Sequence, residues 1–125
     1  MIATKTEVTD LAEVTIRRIS VSEMDNNVYL LTSKDEGTQV LIDAADDPRA
    51  IAGLVGAGNS DCSQAFGNLQ LIITTHSHWD HVRALDEVRS RSEAMTACGA
   101  DDEADIAVPM DLTFEDGDTA EFDGF

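Results

Sequence analysis

All three histidines of this chain lie in one short window, Thr75-His76-Ser77-His78-Trp79-Asp80-His81, which has the pattern His-x-His-x-Asp-His. Imidazoles and a carboxylate are the side chains that hold Zn²⁺, Fe or Mn²⁺, so these spacings point to a metal site. Side chains two apart in an extended segment can converge on one ion, which makes His76 and His78 a natural imidazole pair. Asp80 and His81 face a slightly different point. The pattern therefore suits two neighbouring ions, or one ion with a nearby carboxylate that holds water. Two blander readings compete with it. Ser77-x-x-Asp80 fits a capping box, which accounts for Asp80 but leaves the histidines unexplained. A cluster of exposed histidines with incidental metal affinity is the other.

The elements that must position this window are legible on both sides of it. Val14 to Ser20 is rich in β-branched residues, and Val28 to Thr32 follows the turn-like polar break Met24-Asp25-Asn26-Asn27. Lys34-Asp35-Glu36-Gly37 reads as a hairpin loop and Val40-Leu41-Ile42 as a third strand, giving an antiparallel meander. Asp47-Pro48 opens a helix that runs through Ile51, Leu54 and Val55 and ends near Gly56 to Gly58. Leu69 to Thr74 is a fourth strand, apolar on both faces and therefore central. A half-buried helix is expected from Trp79 to about Arg91, since Val82, Leu85 and Val88 share one face and Arg83, Glu87 and Arg91 another. The window thus falls at a strand-to-helix corner. Ala94 to Ala97 reads as a short strand, Asp101 to Ile106 as a short helix, and Glu115-Asp116-Gly117-Asp118 as a turn between two brief strands.

Composition narrows the classes of function. A chain of 125 residues holds at most one domain. Its formal charge of −17 repels phosphate backbones and anionic lipid surfaces, so neither nucleic acid nor membrane is an expected partner, whereas cations are favoured. Residues 100–125 sharpen this, with ten acidic side chains and no basic one. Cys62 and Cys98 have no C-x-x-C spacing and read as two buried or half-buried thiols without a role. No segment has the length of a signal peptide's apolar core or of a membrane span, and a cytoplasmic location is the default expectation.

The run Leu71-Ile72-Ile73-Thr74-Thr75-His76-Ser77-His78-Trp79-Asp80-His81 resembles the signature of the metallo-β-lactamase fold superfamily. Asn26 to Leu31 and Val40 to Ala44 resemble the early strands of its glyoxalase II-like members. The resemblance implies an α/β (α+β) fold, half of a four-layer αββα sandwich with a mixed, mostly antiparallel sheet and flanking helices. It further implies that His76 and His78 bind a first ion, Asp80 and His81 a second, and that Asp43 supports the site from behind. A turn-forming carboxylate is the alternative for Asp43. The implied activity is hydrolysis of a thioester, ester or lactone carbonyl of a small molecule by hydroxide on one or two Zn²⁺ ions, with Fe or Mn²⁺ as other occupants. Asp80 would orient that hydroxide.

Two departures from the family pattern bear on these expectations. Val82-Arg83 follow the last histidine, where glyoxalase-like members have small residues, so subfamily and substrate are open. Family domains are also longer and draw further ligands from a later half, whereas no histidine follows His81. Residues 1–125 are therefore expected to be the N-terminal half of such a domain, binding metal weakly, turning over little alone and prone to self-association through an exposed apolar face. An iron-dependent sulfur dioxygenase of the same fold and a non-catalytic metal-binding or interaction module are the alternative functions.

Overall fold

The computed structural model of the chain describes residues 5–61, 68–121 and 124–125; Cys62 lies outside them. Seven strands form one sheet in sequence order. They are β1 (Glu7–Asp10), β2 (Val14–Val21), β3 (Asn26–Ser33), β4 (Thr38–Ile42), β5 (Asn68–Thr74), β6 (Met95–Gly99) and β7 (Leu112–Phe114). Pairings β1–β2, β2–β3 and β3–β4 are antiparallel, and β4–β5, β5–β6 and β6–β7 are parallel. The expected meander is present, and a parallel half is appended to it. Parallel neighbours need crossovers: α1 (Pro48–Gly58) joins β4 to β5, α2 (Leu85–Ser92) joins β5 to β6, and a segment containing the 3₁₀ turn Ala100–Asp105 joins β6 to β7.

The strands are apolar without strict alternation because each face of the sheet carries its own cluster. Val28, Leu30, Leu41, Ile72 and Cys98 point towards the helices, where they meet Ile51 and Leu54 of α1 and Leu85 and Val88 of α2. Val40, Leu71 and Ala97 point the other way, joined by Leu31, Ile42, Ile73, Leu112 and Phe114.

Local chemistry explains the joints. Gly37 adopts φ 76° and donates its N–H to Ser33 O at 2.8 Å, which closes the β3–β4 hairpin in a conformation that favours glycine. Asp47 accepts the Ala50 N–H at 3.2 Å, with Pro48 in the first turn, so α1 begins where its capping residues predict. At its far end Gly58 packs so closely on the sheet that a Cβ would lie 2.6 Å from Gln39 Nε2.

Three expectations need correction. The helix foreseen from Trp79 is interrupted: Trp79–His81 forms a single 3₁₀ turn, and α2 starts only at Leu85. The Arg83 and Ala84 N–H groups donate to Ala45 O and Ala44 O at 3.1 and 3.0 Å, so the loop after β4 captures backbone donors that a continuous helix would use internally. The helix after β6 is 3₁₀, at Ala100–Asp105. The Glu115–Asp118 turn forms, with Asp118 N–H donating to Glu115 O at 3.0 Å, but only β7 flanks it; no strand follows among the described residues. Strand β1 escaped the sequence reading because all four of its side chains are exposed, leaving no alternation to see.

Candidate metal centre

Strands β4 and β5 run parallel and end at the same edge of the sheet, and β3, antiparallel to β4, begins there. Crevices at the carboxyl ends of parallel strands are where open α/β sheets bind ligands. Here that edge collects Asp43 after β4, the 75–81 segment after β5, and Asn26 at the start of β3.

Asp43 holds the arrangement together. Its backbone takes φ 65° as the chain leaves β4, a left-handed conformation that aspartate tolerates, and its N–H donates to Ile73 O at 2.8 Å. The residue is 6% exposed, and its carboxylate accepts the Thr75 N–H at 2.7 Å and the Thr75 hydroxyl at 2.6 Å. His81 Nδ1 lies 3.1 Å from the same carboxylate and donates to it in the neutral tautomer that carries the proton there. A buried charge is tolerated only when its oxygens are satisfied in this way.

The hydrogen bonds also select tautomers. With its proton given to Asp43, the Thr75 oxygen accepts from His76 Nδ1, 3.0 Å away. Both His76 and His81 are then left with Nε2 as the lone-pair nitrogen, as metal ligation requires. His81 Nε2 faces Asp80 Oδ2 at 3.6 Å. Ordinary Zn–N and Zn–O bonds of about 2.0–2.2 Å would span that distance.

The candidate residues converge. His76 and His81 approach with ring centroids 3.9 Å apart, and His76 and His78 with centroids 4.7 Å apart, edge to face. The donor atoms that all lie within 4.8 Å of one another belong to Asp43, His76 and His81. This set takes one imidazole from each expected pair and adds Asp43. His78 is exposed and opens the Trp79–His81 turn without a capping bond from its side chain. Two imidazoles and a carboxylate fit a divalent ion by donor chemistry.

Burial pushes the Asp80 carboxyl upward, but the Asn26 hydrogen bond, Asp80's own backbone, His81 and His78 outweigh it and hold it below the usual carboxylate range. The capping reading of Ser77-x-x-Asp80 gives way to this, since the Asp80 carboxylate meets Asn26 and His81. Asn26 and Thr75 are the participants that sequence reasoning missed. Asn26 looked like part of a polar turn, and Thr75 opened the histidine window without a role of its own.

The family model described as the metallo-beta-lactamase superfamily matches residues 21–115, and the chain belongs to that superfamily. Among curated proteins, a hydroxyacylglutathione hydrolase of Ruegeria pomeroyi is 31% identical over 100 residues, covering 80% of this chain and 36% of the relative. The chain therefore spans about a third of the length of that relative. Solved structures agree on the fold. BLEG-1, a B3 metallo-beta-lactamase, superposes with a TM-score of 0.71 at 18% identity, over 88% of this chain and 57% of that one. ETHE1 from Myxococcus xanthus gives 0.66 at 23% identity, over 85% and 43%. The mixed sheet with helices on one face matches half of the αββα sandwich, as the resemblance implied.

Proposed function

We propose that this chain carries the metal-binding corner of a metal-dependent hydrolase that acts on a thioester, or a related ester or lactone, of a small molecule. The observation that carries this reading is the gathering of Asp43, His76 and His81 donor atoms within 4.8 Å at the carboxyl edge of the sheet. Likeness to a hydroxyacylglutathione hydrolase favours the thioester. In this reading His76 and His78 hold one ion, Asp80 and His81 a second, and Asp43 supports both sets through His81 and Thr75. Zn²⁺ is the preferred occupant.

A divalent ion held there supplies a Lewis acid for the substrate's carbonyl oxygen. The chain's own groups do the rest. Asp43 keeps the proton of His81 on Nδ1, and the Thr75 hydroxyl does the same for His76. Asp80, kept anionic, orients the attacking water. Residues 1–125 are read as the N-terminal half of the domain, because they span 57% of one solved relative.

One observation favours a second reading: two imidazoles and one carboxylate also make the ligand set of non-haem iron oxygenases. Metal analysis of the protein from its native source, with assays for thioester hydrolysis and for oxygen consumption, decides between them. Zinc with thioester cleavage supports the hydrolase. Iron with oxygen uptake overturns it, and absence of both activities leaves a metal-binding module.

A further inference from the structure

Asn26 and Asp80 are separated by 54 residues and meet at the sheet edge. Asn26 is the first residue of β3, paired with Val21 of β2, and only 8% exposed. Its amide nitrogen donates twice to the same residue, to the Asp80 backbone oxygen at 2.8 Å and to Oδ2 at 3.2 Å. An amide has two N–H groups on that nitrogen, so one side chain fixes both the turn and the carboxylate that projects from it. The bonded oxygen is the one that faces His81 Nε2.

We infer that Asn26 is a positioning residue that locks the Asp80 side chain in the rotamer that aims its carboxylate at His81 and the metal site. The chemistry suits a neutral donor. A lysine or arginine here would pair with Asp80 and compete with a cation, whereas the asparagine amide orients the carboxylate and leaves its charge unspent. Strand β3 supplies the rigidity: Asn26 is anchored by the β2–β3 ladder, while Asp80 lies on a single 3₁₀ turn with few backbone bonds of its own. The inference rests on the reading of Asp80 as part of the metal centre, and the experiments below separate the two.

The first experiment needs no metal. Three-bond couplings from Asp80 Cγ to its backbone N and C′, measured by NMR on the metal-free 125-residue chain, report its χ1 rotamer. A single rotamer is expected in the parent and rotamer averaging in Asn26→Ala, with β2 and β3 amide shifts otherwise preserved. If Asn26 served only to cap the backbone of the turn, Asp80 would stay in one rotamer, and that result overturns the inference. Should Asn26→Ala fail to fold, the parent still decides: both Asn26 Nδ2 protons are expected to be protected from solvent exchange, and a freely exchanging proton refutes the double bond.

The second experiment uses Co²⁺ titrated into the same chain. Asn26→Ala should weaken Co²⁺ binding by about tenfold, and should have no further effect in an Asp80→Ala background. An equal effect in both backgrounds means that Asn26 acts elsewhere, and the inference falls. Unaltered Co²⁺ affinity in Asp80→Ala itself would instead remove Asp80 from the metal centre, while the rotamer measurement still judges Asn26.

Discussion

At the residue scale, Asp43 connects the greatest number of parts. It receives two hydrogen bonds from Thr75 and lies beside His81 Nδ1, and through Thr75 it reaches His76. Groups that orient metal ligands from behind typically contribute 10–100-fold to metal affinity. Asp43→Asn keeps the shape but loses the charge, and it should weaken Zn²⁺ binding by about that factor in a competition titration. Thr75→Val removes only the hydroxyl link. Its expected signature is a change in the ¹⁵N shifts of the His76 ring as the tautomer preference relaxes, while Thr75→Ser should keep the parent spectrum. The histidine window was readable from sequence because its four side chains are close along the chain. Asn26 and Thr75 were not, because an asparagine in a polar turn and a threonine beside a histidine look ordinary until the sheet edge brings them to Asp80 and Asp43.

At the scale of elements, the strands and α1 were legible where local chemistry and apolar pattern agreed. Asp47-Pro48 marked the start of α1, and its capping bond is worth about 1 kcal/mol. Asp47→Ala should lower the urea midpoint accordingly, and Asp47→Asn should largely preserve it. The 79–91 segment was harder to read. Its apolar spacing is helical, yet Ala44 and Ala45 carbonyls divert two backbone donors and split the helix, a tertiary effect that no local pattern announces. Leu85, at the first turn of α2, is fully buried, so Leu85→Ala should cost about 2–5 kcal/mol in denaturant unfolding. Cys98 gives a pH test of β6. Burial first, then Glu103 and Asp102, push its thiol above the usual range. A raised folded pKa contributes stability that is complete below the unfolded thiol's pKa of about 8.5 and is lost as pH rises through the folded value. Iodoacetamide should therefore label Cys98 slowly at pH 8 in the native chain and quickly after denaturation.

For the whole molecule, one sheet separates two apolar clusters, and both helices cover the same side. On the opposite face Val40, Leu71 and Ala97 are buried as well, with Leu31, Ile42, Ile73, Leu112, Phe114 and Phe125 packed against them. No helix among the described residues is long and apolar enough to cross a membrane. The charge of −17 sets a field that gathers cations at a surface with few basic groups, so metal uptake must be separated from diffuse attraction. Titration calorimetry of Zn²⁺ into the metal-free chain, its His76→Ala form and its His81→Ala form does this most directly, because neither substitution touches the acidic surface. The centre described above predicts a saturable site in the parent and at least about a tenfold loss of affinity in each variant. Three superimposable isotherms would contradict it.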